Sequence, residues 1–160
     1  MIFTMNNLAQ NLATYLAPVL SGVTFYEDPN QQMTVTPCCF LQQRYSKIEN
    51  RLSDRYLRTI GVDLTYLEDY NLPNLQTLYQ AASEKLDECM ETFPYAEPHE
   101  PSDKTFETAV LRTYDRNAEI DLDALHYKFE LRLWVYPTDT GDPMQTLDQA
   151  IHIIVKKKEN

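Results

Sequence analysis

Apolar and polar residues alternate along two stretches of the chain with a strict period of two. In LHYKFELRLWVY, Leu125, Tyr127, Phe129, Leu131, Leu133 and Val135 fall on one side, and His126, Lys128, Glu130, Arg132, Trp134 and Tyr136 on the other. Successive side chains of a strand point to opposite faces, so this pattern predicts a strand with one buried face and one face that is wet or covered by a partner. In LSDRYLRTIGVDLTYL, Tyr56, Arg58, Ile60, Val62, Leu64 and Tyr66 share one side, and Arg55, Thr59, Asp63 and Thr65 the other, with Leu57 and Leu67 among them. The preceding stretch, Cys38 to Ile48, begins apolar and becomes polar. Joined through Glu49 to Asp54, the two stretches predict a long antiparallel hairpin with a polar tip. Val23 to Asp28 reads as a short strand and Phe106 to Tyr114 as a further one. YDRNAEIDLD, Tyr114 to Asp123, reads as a turn region, and QAIHIIVKK, Gln149 to Lys157, as a last strand.

Two stretches carry the helical period instead. Leu8, Leu12, Tyr15, Leu16, Val19 and Leu20 recur at spacings of three and four, after a candidate N-cap at Asn6 or Asn7. Pro18 must lie near the end of this helix, and Ser21 and Gly22 stop it. The second helix begins at Pro73, a residue suited to a first turn. Leu75, Leu78, Tyr79, Ala82, Leu86, Cys89, Met90 and Phe93 follow on one face and Glu84, Lys85, Asp87, Glu88 and Glu91 lie mainly on the other, up to Pro94. Residues 94–104, with Pro94, Pro98 and Pro101, read as an exposed connector. The order helix, three strands, helix, two or three strands predicts an α+β domain. A single, mostly antiparallel β-sheet would carry both helices on one face, with a long β-hairpin. One domain spans 1–160, and residues 156–160 read as a flexible tail.

Composition narrows the function. A chain of 160 residues with 43% hydrophobic content makes one domain with one core. No apolar run reaches the roughly 20 residues of a membrane span, and MIFTMNNLAQNL lacks the basic start and apolar stretch of a signal peptide. The expectation is a protein made and kept in the cytoplasm, with no membrane partner. With 14 basic against 24 acidic residues, net −10, most of the surface should repel nucleic acid. Lys156, Lys157 and Lys158 form the one basic cluster, read as a solubilising tail. Cys38, Cys39 and Cys89 show no disulfide spacing and read as small buried apolar residues.

Catalytic signals are missing. Gly22, Gly61 and Gly141 are isolated, so they build no phosphate loop. His99, His126 and His152 lie in different elements without metal-ligand spacing, and no serine sits in a nucleophile elbow. His126 is expected to be solvent-facing or hydrogen-bonded. Glu68 with Asp69 reads as a solvated turn rather than a general acid–base pair. No enzyme, no cofactor and no metal site is expected. Tyrosine stands out instead, with eleven in the chain. Strands favour aromatics, but tyrosine also serves interfaces, and Trp134 and Tyr136 share the polar face of their strand with Arg132.

The chain resembles the tail terminator proteins of tailed bacteriophages, in the version found in phages of Gram-positive bacteria. The resemblance runs from about Val23 to Val155. It rests on FYED at Phe25 to Asp28, PCCFL at Pro37 to Leu41, RYLRTIGVDLTYL, HYKFELRLWVY and the trailing GDPMQTL. Within these, Arg55, Tyr56 and Arg58 stand at the family's Arg-Tyr-x-Arg, and Asp63 and Tyr66 at its Asp-x-x-Tyr. The chain departs from the family pattern in its longer, proline-rich connector after the second helix. The resemblance implies a non-catalytic structural virion protein at the head-proximal end of the tail, made in the host cytoplasm. It would form a homohexameric ring on the last ring of the tail tube, stop tube growth and present a docking surface to the head-side connector. Its partners would be itself, the major tail tube protein, the head completion protein and double-stranded DNA passing through without sequence-specific binding. Another head–tail connector, neck or baseplate protein of a tailed phage is the alternative. Arg55, Tyr56, Arg58, Trp134 and Tyr136 are the candidate interface residues; Glu49, Asp54, Glu68 and Asp69 are the candidate acids of the channel wall.

Overall fold

The computed structural model describes residues 2–26, 35–50 and 55–135. The expected strand at Gln149 to Lys157, the tail at 156–160, and Tyr136, Asp54, Gly141 and His152 lie outside them.

Helix α1, Met5–Leu16, is capped by Thr4 rather than by Asn6 or Asn7. The Thr4 hydroxyl accepts the Asn7 N–H at 3.2 Å, which frees the Asn7 side chain to donate to the carbonyl of Ala96. Leu8, Leu12 and Leu16 are buried, and Leu20 continues their line beyond the helix. Gly22, at φ 79°, makes the left-handed turn into β1, Thr24–Tyr26. β1 pairs in parallel with the first residues of β2, Cys38–Asn50. β2 and β3, Tyr56–Leu67, form the expected antiparallel hairpin. Pairing runs out to Asn50↔Tyr56, so Glu49 and Asn50 belong to the strand and not to its tip. The register shifts between Gln43 and Tyr45, and Arg44 is the extra residue of a bulge.

Helix α2, Leu75–Cys89, buries Tyr79, Ala82 and Leu86. It ends one turn earlier than its spacing predicts, because Thr92–Ala96 forms strand β4. Phe93 and Tyr95 are buried on that strand and Pro94 points outward. The start of the expected connector at 94–104 is therefore sheet. Proline is tolerated there because β4 lies at the sheet's edge, where a ladder donor can be missing. β5, Thr108–Ile120, overturns the expected turn region at Tyr114 to Asp123. The strand continues through it over a bulge between Tyr114 and Asn117, with Asp115 at φ 48°. Ala118 and Ile120 pack against the core, and this burial outweighs the weak strand propensity of Asp and Asn. The true turn is short, with the Asp121 N–H on the Ala124 carbonyl at 2.8 Å. β6, Leu125–Val135, alternates as predicted.

The strands form one curled sheet in the order β1-β2-β3-β6-β5-β4, antiparallel throughout except at β1. Both helices contribute to a single core with Ile60, Val62, Leu64 and Tyr66 of β3 and Leu125, Tyr127, Phe129, Leu131 and Leu133 of β6. The fold is α+β, with the helices covering one face. Cys38 and Cys39 are free and fully buried, and burial pushes the Cys39 thiol far up, so it stays protonated and inert. Among the described residues no helix is long and apolar enough to cross a membrane.

Candidate functional site

The face of the sheet away from the helices is polar, and its side chains are locked to one another. Rows of cross-strand neighbours build it. In one inner row Tyr45 of β2 and Glu130 of β6 flank Gly61 of β3. A Cβ on Gly61 would stand 2.3 Å from the Tyr45 ring. With no side chain there, the ring lies across the strand and its hydroxyl donates to the Glu130 carboxylate. That bond, with help from Arg132, holds the Glu130 carboxyl below the usual carboxylate range, and the same bond pushes the Tyr45 hydroxyl up.

Toward the hairpin end, the Arg132 guanidinium bonds Asp115 at 3.0 Å and Glu130 at 3.3 Å, and lies 4.4 Å over the Tyr114 ring. Asp115 reaches Arg132 because the β5 bulge sets it in the left-handed region. Toward the other end, Lys128 pairs with Glu119 and holds its carboxyl below the usual range. His126 bonds Asp63 through Nδ1 at 3.0 Å and approaches Asp121 through Nε2 at 3.5 Å. His126 is thus hydrogen-bonded, as its place on the strand predicts.

Two hollows open onto this face. One of about 350 Å³ is lined by Tyr45, Lys47, Glu49, Thr59, Asp115, Glu130 and Arg132. The other, about 240 Å³, shares Tyr45, Asp115 and Glu130 and adds Arg44, Glu119 and Lys128. Four cations (Arg44, Lys47, Lys128, Arg132) meet four carboxylates (Glu49, Asp115, Glu119, Glu130), so the walls are neutral in a chain of net −10. Among the described residues no group of His, Cys, Asp and Glu could hold a metal ion. The arrangement suits a wet, charge-complementary contact with another macromolecule.

Of the predicted interface residues, Arg55, Tyr56, Arg58 and Trp134 lie at one end of the sheet, and Tyr136 is outside the described residues. Tyr56 pairs with Val135, Leu57 with Trp134 and Arg58 with Leu133, all at the hairpin end of the sheet. The Arg55 guanidinium lies 4.7 Å over the ring of Trp134, which is 48% exposed. Arg58 donates to the Ser46 hydroxyl at 3.0 Å. Strand alternation divides the group: Arg55 and Trp134 lie on the open face, and Tyr56 and Arg58 on the helix side.

Of the predicted channel acids that are described, Glu49 lies apart from Glu68 and Asp69. Glu49 pairs with Lys47 at 2.8 Å near the hairpin tip, while Glu68 and Asp69 follow the far end of β3. Nor is Glu68–Asp69 a simple solvated turn. Glu68 is half-buried and accepts the hydroxyl of Tyr66, and its backbone N–H donates to Tyr79 at 3.1 Å. Burial above all, and then that Glu68 bond, raises the Tyr66 hydroxyl. Asp69 caps the next turn through the Asn71 N–H at 3.0 Å. Sequence reasoning missed Tyr45, Gly61, Glu130 and Asp115. A lone glycine inside a strand pattern was the available signal, since it marks a close approach over the backbone.

Comparison with known proteins adds a family. Residues 7–143 match a family model described as phage tail terminator protein. A search of curated proteins finds no match.

Proposed function

We propose, from the premise that this chain belongs to the phage tail terminator family, that it closes as a homohexameric ring on the last ring of the tail tube. The family is one of structural tail proteins, which supports a virion component whose role is structural rather than catalytic. In the proposed role it ends polymerisation of the major tail tube protein at the head-proximal end. It then offers its outer side to the head-side connector and lets double-stranded DNA pass without reading its sequence. The observation that carries this reading is the family match, which reaches from α1 past the end of β6. The geometry supports it: one face of the sheet is sealed by helices, while the other is a neutral, interlocked polar surface with an aromatic–guanidinium pair at its end.

A phage deleted for this gene tests the reading. The expected particles are filled heads and separate tails of uncontrolled length under the electron microscope. Normal-length tails joined to heads would refute it.

A further inference from the structure

Among the described residues the sheet has two edge segments that pair on one side only. β1 covers β2 from Cys38 to Phe40, and among the described residues Gln42–Ile48 pair with β3 alone. On the opposite side β4 covers β5 from Thr108 to Arg112. Thr113 donates its N–H to the Glu91 carbonyl at 3.0 Å, and among the described residues Tyr114–Ile120 then pair with β6 alone. The outer edge of β4 is different, because α1 closes it. Asn11 accepts the Ala96 N–H at 3.0 Å and donates to the Ala96 carbonyl at 3.2 Å, as a neighbouring strand would. Unpaired strand edges are templates for another chain.

We propose that β2 of one copy adds to β5 of the next, so that the ring contact is a sheet running from subunit to subunit. The proposal rests on the ring reading above and names its contact surfaces. A closed ring needs two different, complementary surfaces on each copy, and these edges lie on opposite sides of one sheet. Each segment, Gln42–Ile48 and Tyr114–Ile120, is seven residues long. Along β2-β3-β6-β5 every neighbouring pair is antiparallel, so β2 and β5 run in opposite directions. A neighbour's β5 set beside β2 by rotation about an axis along the strands continues that alternation.

Charge favours the same match. Gln42–Ile48 carries Arg44 and Lys47 and no carboxylate, whereas Tyr114–Ile120 carries Asp115 and Glu119 against Arg116. Lys47 is 67% exposed and Asp115 69%. Copies of net −10 repel at a distance, so locally opposite edges select this approach over others. A bulge on each edge, at Arg44 and at Asp115–Arg116, also works against indiscriminate flat pairing.

Hydrogen exchange on the whole chain, as free subunit and on assembled tails, tests the contact. Outward amides of Gln42–Ile48 and of Tyr114–Ile120 should slow together on assembly, by roughly tenfold or more. Unchanged rates, or slowing on one edge only, would overturn the proposal even if microscopy shows a six-fold ring. A charge exchange gives the second readout. In antiparallel pairing of the two segments Lys47 stands opposite Asp115, so Lys47→Asp and Asp115→Lys should each yield overlong tails, and the two together should restore normal length. Single variants with normal tails, or a double variant as defective as either, would also overturn it. Failure of the terminator reading itself shows separately, as normal tails in the deletion phage.

Discussion

At the scale of single residues, Gly61 is the position on which the open face turns. Its missing side chain lets Tyr45 cross β3 and reach Glu130, so one absent Cβ links strands that are not neighbours. The link depends on pH at both limits. The Glu130 carboxyl is held low in the folded state, so its contribution is present above the unfolded carboxylate range and is lost as pH falls through the folded value. The Tyr45 hydroxyl is held high, so its contribution is present below the unfolded tyrosine range and is lost as pH rises through the folded value. Between those limits the contact has full strength. Glu130→Gln should lower stability near neutral pH by about 1 kcal/mol, with solvent on this face keeping the loss modest. It should also flatten the decline of stability from neutral to acid pH. Urea unfolding of both proteins across that range measures it, and parallel pH profiles would contradict the assignment.

At the scale of elements, the edges decide what the sheet can join. Helix α1 acts as a stand-in strand through Asn11, and its Asn7 side chain also donates to the same Ala96 carbonyl. Tyr95, on the same strand, bonds the Ile2 carbonyl at 3.0 Å and accepts the Thr4 N–H at 3.2 Å. Removing the amide leaves the Ala96 N–H without its partner, which costs more than the bond itself contributes. Asn11→Ala should therefore destabilise by about 1–3 kcal/mol. Asn11→Asp, which keeps the acceptor, should lose less. Urea midpoints for the three proteins decide it, and equal losses for both variants would show that the acceptor has no role. The same edge explains the early end of α2. Phe93 and Tyr95 are apolar at a spacing of two, a strand signal that the longer helical pattern before them obscures.

At the scale of the whole molecule, charge is distributed unevenly. The walls of the two hollows on the open face are balanced, so the excess acid lies outside them. Six copies at −10 each would bring roughly sixty negative charges into one ring. An acidic wall repels DNA and leaves it free to slide, whereas a basic wall would hold it through counterion release. Glu49 and Glu68 flank the two ends of β3, whose eleven steps of about 3.4 Å span roughly 37 Å. They are therefore separate stations and need separate tests. If the hairpin end lines the passage, Glu49→Lys should leave tails assembled and slow genome ejection, most strongly at low salt. Ejection at the normal rate at every salt concentration would remove Glu49 from the channel wall.

The sequence alone determined the elements whose period is imposed by local geometry. The pleat sends alternate side chains to opposite faces, so β3 and β6 and their buried residues were legible from Ile60 to Tyr66 and from Leu125 to Leu133. The buried stripes of α1 and α2 were legible for the same kind of reason. Pairing is different, because strand partners lie far apart along the chain and no local pattern names them. Only the tertiary structure set β6 beside β3, which placed Trp134 within reach of Arg55 and Glu130 across Gly61 from Tyr45. It also carried β5 through Asp115 to Ile120 against local propensity, because pairing with β6 partly buries Ala118 and Ile120 against the core. It drew Glu68 off the solvated surface, because Tyr66 and Tyr79 needed polar partners at the end of a buried strand.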